Sequence, residues 1–369
     1  MKNRREFLKS SLLASILLTQ TSQLYSSCSV SSNNLPNPDT NKGGDNNTSE
    51  KLIQTRAVTL AWNDVATLDW PYLAFQAGLN NISFYVNDSL MESETFHNIM
   101  KSCKSFNIDV EFEQHAMAEI LPRTLFEKDP TMFRMDEEGN RINDYNCCAS
   151  SVDGLSIISE NARQRTLRQK STTGRYFYWL DDGGKKCYCS KCKDLSFSDQ
   201  SLLIENEIIK SIKTIDSSYT LSHLAYTDTI PAPTVIKPEP GIFLEFAPFQ
   251  RRWDKPLSDR EARRENMPLT HGEYMDHLDE NLKVFPVETA HILEYWLDVS
   301  LFSGWEKPAV QLPWRPDVCK ADIETYTQKG IKHIRTFAAY IDAEYVANHK
   351  DLSFINEYGE FLNKYIAKH

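Results

Sequence analysis

The chain has 369 residues, of which 51 are acidic and 41 basic, and its formal net charge is −10. This acidic balance, together with the lack of a basic stripe or nucleic-acid motif in the sequence, argues against nucleic acid or another polyanion as a partner. The length fits one large barrel-type domain as well as two smaller domains.

The first 28 residues have the features of an export signal. Arg4-Arg5 precede an apolar segment from Leu12 to Leu18, as in twin-arginine signal peptides. This segment is far shorter than the ~20 residues that span a bilayer. A Leu-Tyr-Ser-Ser-Cys sequence ending at Cys28 loosely matches a lipoprotein cleavage box. We therefore predict an exported, periplasmic or cell-envelope protein that contacts the membrane only through a lipid on Cys28, with cleavage by ordinary signal peptidase as the alternative.

Residues 29–50 are rich in Ser, Asn, Pro and Gly and poor in large apolar side chains. Such a composition cannot bury a core, so this segment is predicted to be a disordered, flexible tether. Residues 51–369 are predicted to form the folded domain.

Eight segments with strand character alternate with helical patterns in this domain. The predicted strands are 57–62, 82–87, 108–115, 175–181, 220–226, 241–247, 290–296 and 333–339. Helices are predicted over 92–106, 156–170, 198–215, 270–284, 318–329 and 343–366. Regular alternation of strands and helices indicates a parallel α/β architecture. Eight such units predict a single (β/α)₈ TIM-type barrel.

The residue pattern within the third and sixth strands places acids on one face. Asp109, Glu111, Glu113 and His115 alternate with apolar residues, as Glu245 does in the sixth strand. Because the outer face of a barrel packs under helices, we expect these polar side chains to point inward. Those near the C-terminal strand ends lie where barrel enzymes build active sites. A structural polar network is the alternative for all of the acids and the favoured interpretation for Asp109 and Glu111.

Further carboxylates end the fourth and seventh predicted strands. Asp181-Asp182 precede a Gly-Gly turn, and Glu294 lies in the seventh strand. Glycosidases need one carboxylic acid to protonate the leaving oxygen and a second carboxylate opposite it. The predicted catalytic residues are therefore Asp181, Asp182, Glu245 and Glu294. A solvated turn or a helix cap is the alternative for the aspartate pair.

Three cysteines follow the aspartates in a Cys187-x-Cys189-x-x-Cys192 sequence. The last two have the spacing of a metal knuckle, and Cys147 or Cys148 can supply a fourth ligand. We predict either a structural zinc site formed by Cys148 and the three later cysteines or disulfides among them, with no cofactor required for catalysis. Disulfides, for example from Cys148 to Cys187 or Cys192, are the alternative that an oxidising compartment would favour.

Aromatic and polar residues near the strand ends are candidates for substrate contacts. They are Glu113, His115, Trp62, Trp179, Trp296 and Arg251. Indole rings offer apolar platforms for sugar faces, and an arginine can bind a uronate carboxylate with two parallel hydrogen bonds. Core packing is the alternative for the tryptophans, and a solvated basic loop is the alternative for the arginine.

The order of several motifs resembles a known family. The motifs are His115, Leu121-Pro122, Phe126 to Phe133, Gly139-Asn140-Arg141, Cys148-Ala149-Ser150-Ser151, Asp181-Asp182-Gly183 and the Cys-x-Cys-x-x-Cys sequence. This order resembles exported glycoside-hydrolase-like TIM barrels of unknown function that are related to α-glucuronidases. The resemblance implies that an acid after strand four, Asp181 or Asp182, works with Glu245 and Glu294 from strands six and seven.

Together these features predict an O-glycosyl hydrolase of the α-glucuronidase type that acts on an oligo- or polysaccharide containing an acidic or acetamido sugar. Asp182 or Asp181 is expected to be the general acid, and Glu294 with Glu245 the base or nucleophile. The alternative is a non-catalytic glycan-binding lipoprotein on a degenerate barrel. A metal-dependent hydrolase that uses His115, Glu113 and His223 is a third interpretation.

Overall fold

The computed structural model describes residues 53–364. The predictions for the export signal, for Cys28 and for the tether fall outside the described residues. None of the helices within the described range combines the length and the apolar character that crossing a membrane requires.

The described residues form nine strands, every neighbouring pair of which is parallel. They are β1 (Thr55–Leu60), β2 (Asn81–Phe84), β3 (Asp109–Glu111), β4 (Glu113–His115), β5 (Arg175–Trp179), β6 (Thr220–Tyr226), β7 (Ile242–Ala247), β8 (His291–Glu294) and β9 (His333–Phe337). Their order in the sheet is β3-β2-β1-β9-β8-β7-β6-β5-β4. Only Phe112 separates β3 from β4, so the two outer members of the sheet are successive parts of one chain segment. The sheet thereby curls into a barrel with eight strand positions, and the predicted (β/α)₈ TIM-type fold is confirmed.

Helices occupy the connections between the strands and cover the outside of the barrel. They are α1 (Trp62–Thr67), α2 (Trp70–Gln76), α3 (Asp88–Met91), α4 (Glu94–Ser105), α5 (Met117–Ile120), α6 (Val152–Arg168), α7 (Phe197–Ile212), α8 (His271–Asn281), α9 (Val299–Phe302), α10 (Pro316–Gln328), α11 (Ala343–His349) and α12 (Ser353–Lys364). The helix predicted over 343–366 is two helices, because Lys350 adopts a left-handed conformation with φ of 63° and ends α11.

A cluster of charged side chains fills the lower half of the barrel interior. We call Glu111, Glu113, Arg175 and Arg335 the inner ion cluster. The fully buried Arg335 donates to Glu111 Oε2 over 2.6 Å and forms an ion pair with Glu113. Arg175 Nε is 2.6 Å from Glu111 Oε1. Burial alone would raise the pKa of Glu111, but the two arginines outweigh it and lower that pKa to about 2.

The inward direction of the acids on the third predicted strand is correct for Glu111 and Glu113 but not for Asp109. Asp109 is exposed at the end of the barrel where the strands begin, and the Thr172 hydroxyl donates to it there over 2.9 Å. It is the first residue of β3, so the barrel interior begins two residues later. Glu111 and Glu113 therefore hold the barrel together from within.

Candidate functional site

Aromatic side chains line the C-terminal opening of the barrel, which we call the mouth. The rings of Trp179, Tyr226 and Tyr295 are buried there, and Phe249 and Phe337 pack on them with part of their surface exposed. Tyr295 stacks on Phe337 with ring centroids 5.2 Å apart, and Phe249 meets Tyr295 edge-on at 5.0 Å. The partly exposed faces of Phe249 and Phe337 suit the apolar faces of sugars.

Three polar groups from neighbouring strand ends meet at the rim of the mouth. The Tyr226 hydroxyl donates to Asp182 Oδ1 over 3.1 Å, and His115 Nε2 lies 4.0 Å from the same oxygen. The His115 and Asp182 side chains are 14% and 11% exposed, so both remain open to a solute. His115 Nδ1 donates to the Leu180 carbonyl, which can only accept. Nε2 is therefore the ring nitrogen that is left to face the mouth.

Asp181 has a different environment from its neighbour. Its carboxylate forms an ion pair with Arg123 and accepts the Asn146 backbone N–H over 2.7 Å, while its own N–H donates to Asn146 Oδ1 over 2.8 Å. Gly184 in the same turn packs directly on the Asn146 amide, and a Cβ there would lie 2.3 Å from Nδ2. Asp181 thus binds two chain segments together, and only Asp182 joins the polar groups of the rim.

Glu245 lies inside the barrel below the mouth, as the strand pattern predicts. It has no solvent exposure, and the indole N–H of Trp179 donates to its Oε2 over 2.7 Å. Burial, with a smaller effect from the charge of Glu111, raises the pKa of Glu245 to about 8 although the indole hydrogen bond opposes the rise. The side chain is consequently protonated at neutral pH.

Glu294 does not reach the mouth, which corrects the sequence-based placement. Leu293 and Tyr295 point into the barrel, so the strand alternation directs Glu294 outward, towards α10. There the Tyr326 hydroxyl donates to its Oε1 over 2.6 Å, and Arg251 Nε lies 3.3 Å from Oε2. Burial raises the pKa of Glu294 to about 7, although the nearby Arg251 opposes that rise.

Arg251 and Trp296 belong to the same outer layer and are also corrected. Arg251 is fully buried and donates to Asp322 over 2.5 Å, and the Trp296 indole donates to the same carboxylate over 3.1 Å. We call Arg251, Glu294 and Asp322 the outer ion cluster. A guanidinium committed to two buried carboxylates cannot clamp a substrate in the mouth.

Two other predicted contacts also lie away from the rim. Trp62 begins α1, and its ring is 6.2 Å from that of Phe84, which packs against Phe112 on the outer face of the sheet. Glu113 belongs to the inner ion cluster and accepts the Thr59 hydroxyl over 2.7 Å. Of the six predicted binding residues, His115 and Trp179 are the two that the structure brings to the mouth.

The four predicted metal ligands come together as a group. The Sγ atoms of Cys148, Cys187, Cys189 and Cys192 all lie within 4.8 Å of one another, and all four residues are buried. The cysteines among the described residues form no disulfide. Cys147, the other candidate for the fourth position, is buried beside this group but is not part of it.

Several mouth residues were not predicted from the sequence. Tyr226 ends β6 and Tyr295 follows β8, and this position at a C-terminal strand end could have identified both as mouth residues. Phe249 comes from a loop whose sequence has no pattern that would identify it. Backbone conformation in the structure also marks this end of the barrel, because Thr227 and Tyr340 follow the C-terminal ends of β6 and β9 with φ of 46° and 71°. Strained residues of this kind concentrate at functional sites.

An open cavity of about 670 Å³ lies on the loop that follows β7. Its lining consists of Arg252, Trp253, Asp254, Arg263, Arg264, Glu265 and Asn266. Trp253 also packs edge-on against Tyr295, with centroids 5.6 Å apart, so this cavity adjoins the aromatic mouth. Three arginines against two acids make its lining net positive on a chain whose net charge is −10.

The closed barrel of parallel strands, with helices in the connections between them, is a TIM barrel. More specifically, the chain belongs to the family described as Domain of unknown function (DUF4838), whose sequence model matches residues 34–360. No curated protein matches the chain by sequence.

Solved structures with a similar course of the chain include several glycoside hydrolases. A β-galactosidase from the psychrophilic Marinomonas ef1 is 10% identical with a TM-score of 0.48, over 84% of this chain and 59% of that one. A GH5-4 broad-specificity endoglucanase from an uncultured bacterium is 10% identical with a TM-score of 0.48, over 82% and 86% of the two chains. An α-amylase from Lactobacillus plantarum is 9% identical with a TM-score of 0.43, over 83% and 79%. The chain thus spans less than two thirds of the β-galactosidase. Sequence identities and TM-scores as low as these are not evidence of a shared activity.

Proposed function

We propose that this protein binds a glycan across the mouth of its barrel and hydrolyses a glycosidic bond there. The observation that carries the proposal is the position of Asp182, which accepts the Tyr226 hydroxyl and faces His115 at the rim of an aromatic surface. A carboxyl group, an imidazole and half-buried rings provide proton transfer, hydrogen bonding to hydroxyls and stacking on a sugar.

In this proposal Asp182 gives a proton to the glycosidic oxygen as the leaving group departs, water forms the new bond to the anomeric carbon, and the proton that this water releases restores the Asp182 carboxyl group. His115 binds a sugar hydroxyl through Nε2, because its Nδ1 is already committed to the Leu180 carbonyl. Glu245 acts as a positioning residue, since its carboxyl oxygen holds the Trp179 indole in the mouth. Asp181 is excluded from the chemistry by its contacts with Arg123 and Asn146.

The net positive cavity beside the mouth supports an acidic sugar, such as a uronic acid, as the preferred substrate. Arg263 and Arg264 line it together with Trp253, which contacts the mouth through Tyr295. A glycan that crosses the mouth would place a neighbouring carboxylate within reach of these guanidinium groups.

A second candidate function is glycan binding without hydrolysis. Two observations favour it. Glu294 faces the outer helices, and Glu245 is sealed from solvent, so neither stands opposite Asp182 on the exposed surface of the mouth. A binding protein would retain the aromatic rings and His115 while needing no pair of opposed carboxylates.

Turnover and binding by matched variants of the adjacent aspartates test the proposal. Asp182→Asn is expected to lower kcat on glycuronides by roughly 10²- to 10⁴-fold while leaving the melting temperature unchanged. Substrates with leaving groups that need no proton should lose much less. Asp181→Asn, the matched control, should lower the melting temperature because it weakens the contacts with Arg123 and Asn146.

The outcomes separate the two candidate functions. Wild-type protein that cleaves no member of a panel of aryl glycosides and glycuronides, yet binds oligosaccharides in calorimetry, is a binding protein. Wild-type protein that neither cleaves nor binds them contradicts both candidates, and equal turnover by Asp182→Asn and wild type removes Asp182 from the chemistry.

A further inference from the structure

The buried group of Cys148, Cys187, Cys189 and Cys192 brings four sulfur atoms close enough to bind one metal ion, all within 4.8 Å of one another. Cys148 Sγ lies 3.7 Å from Cys189 Sγ and 3.9 Å from Cys192 Sγ. Four thiolates at a Zn–S distance of about 2.3 Å stand about 3.8 Å apart along the edges of a tetrahedron. A disulfide needs a separation of about 2.05 Å, roughly half of that value.

Neighbouring groups support thiolates at these positions. The Met135 backbone N–H donates to Cys187 Sγ over 3.3 Å, and the Arg141 guanidinium lies 3.9 Å from the same sulfur. The Ser150 hydroxyl is 3.3 Å from Cys148 Sγ and 3.7 Å from Cys189 Sγ. Donors and a positive charge around the sulfur atoms are typical of the second shell of a metal centre.

Backbone contacts fix the knuckle that carries three of the sulfur atoms. The backbone N–H groups of Cys192 and Lys193 both donate to the Cys189 carbonyl over 2.9 Å. Gln200 on α7 donates to the carbonyls of Cys187 and Cys192 over 3.0 and 2.9 Å and accepts the Cys187 N–H over 2.8 Å. The loop is thus held in one shape by hydrogen bonds that do not involve the thiols, as a preorganised binding site requires.

We infer that these four cysteines bind one Zn²⁺ ion and that the ion holds the Asp181-Asp182 turn in position. Cys148 lies two residues after Asn146, the residue that binds Asp181 through both its backbone and its side chain. Cys187 lies five residues after Asp182. The metal therefore joins the two segments whose contact aims Asp182 into the mouth.

The binding step involves no change of oxidation state. Each of the four thiols releases a proton to solvent and forms a bond to Zn²⁺, so that a centre of net charge −2 results near Arg141. Because no coordination position remains open, the ion acts on structure and not as a Lewis acid towards substrate.

Metal analysis of the purified full-length protein tests the inference. Inductively coupled plasma mass spectrometry should find one zinc per chain, and Co²⁺ exchanged into the site should give the charge-transfer absorption of cobalt bound to thiolates. Cys189→Ser and Cys192→Ser should each lose the bound zinc. Cys147→Ser is the matched control, because it alters a buried cysteine next to Cys148 and should keep one zinc per chain.

A second measurement uses the wild type alone, so it tests the inference even if the serine variants do not fold. After unfolding in guanidinium with a chelator, all four cysteines should react with an alkylating reagent without prior reduction. Protection of these cysteines until a reductant is added, with no zinc in the folded protein, would show disulfides and overturn the inference. Iron in place of zinc, or full zinc content in both serine variants, would overturn it as well.

Discussion

The inner and outer ion clusters each contain a fully buried arginine between two carboxylates, but they differ in what else those carboxylates bind. In the outer cluster, Asp322 also accepts the Leu257 N–H over 2.6 Å and the Trp296 indole over 3.1 Å. Glu294 accepts the Tyr326 hydroxyl over 2.6 Å. In the inner cluster, the Thr59 hydroxyl is the one further hydrogen-bond donor to Glu113 among the described residues.

This difference determines how far the buried carboxylates of each cluster depend on the positive charge of their arginine. A buried carboxylate needs either neutral donors or a counter-charge, and loss of the counter-charge costs least where donors remain. The outer acids keep donors from the backbone, an indole and a phenol, whereas Glu113 depends on Arg335. Loss of the arginine should therefore destabilise the protein more in the inner cluster than in the outer cluster.

Replacement of Arg335 should have the largest effect. Arg335→Met leaves Glu113 without a counter-charge inside the barrel, and we expect a loss of about 3–5 kcal/mol in the free energy of unfolding. Urea denaturation measures it. Adding Glu113→Gln to the variant should restore part of the loss, and failure of this second substitution to restore stability would contradict the electrostatic explanation.

The loss in Arg335→Met should also depend on pH. In the wild type the pKa of Glu111 is lowered from 4.5 to about 2, so its contribution to stability is present above pH 4.5 and disappears as the pH falls towards 2. Without Arg335 that contribution shrinks. The difference between variant and wild type is therefore expected to be larger at pH 7 than at pH 3.

Replacement of Arg251 should have a smaller effect, which sharpens the comparison. Arg251→Met removes the outer guanidinium, but Asp322 and Glu294 keep their other donors and Glu294 can take up a proton. We expect a loss of about 2 kcal/mol by the same measurement, within the range for buried groups that stay partly hydrogen-bonded. A loss equal to that of Arg335→Met would mean that the remaining donors do not matter.

Glu245 offers the smallest of these effects and a clear pH signature. Its pKa is raised from 4.5 to about 8, so its stabilising contribution is complete below pH 4.5 and is lost as the pH rises towards 8. Glu245→Gln removes this loss, and the variant should gain about 1.4 kcal/mol relative to wild type when the pH is raised from 5.5 to 6.5. Melting temperatures across this range measure the gain, and Glu245→Asp serves as the control that keeps the titrating group. A pH-independent difference between Glu245→Gln and wild type would show that Glu245 is ionised in the folded protein.

The sequence predicts the barrel well because strand and helix periods are local properties. It also predicts the inward direction of Glu111, Glu113 and Glu245, since alternation decides which side chains share a face of a strand. The same rule could not place Glu294, because Leu293 and Tyr295 on one face of β8 and Ile292 on the other are all apolar. The expectation that Glu294 reaches the mouth rested on its position near the end of the strand.

The roles of the two adjacent aspartates could not be separated from the sequence. Asp181 is fixed by Asn146, a partner 35 residues away, and Asp182 by Tyr226, a partner 44 residues away. Neither contact can be recognised from the residues that surround the two aspartates in the sequence. The cysteine spacing, in contrast, restricts three ligands to one turn, which is why the candidate metal site could be predicted almost completely.

The closure of the barrel at Phe112 has a consequence for the order in which this protein can fold. Arg335 binds the acids on both sides of that residue, and its contact with Glu111 spans 224 positions of the sequence. A growing chain that ends before β9 contains Glu113 but not yet the arginine that neutralises it. Among the described residues, β9 therefore supplies both the strand between β1 and β8 and the counter-charge for the buried acids, so closure of the barrel depends on contacts of high sequence separation.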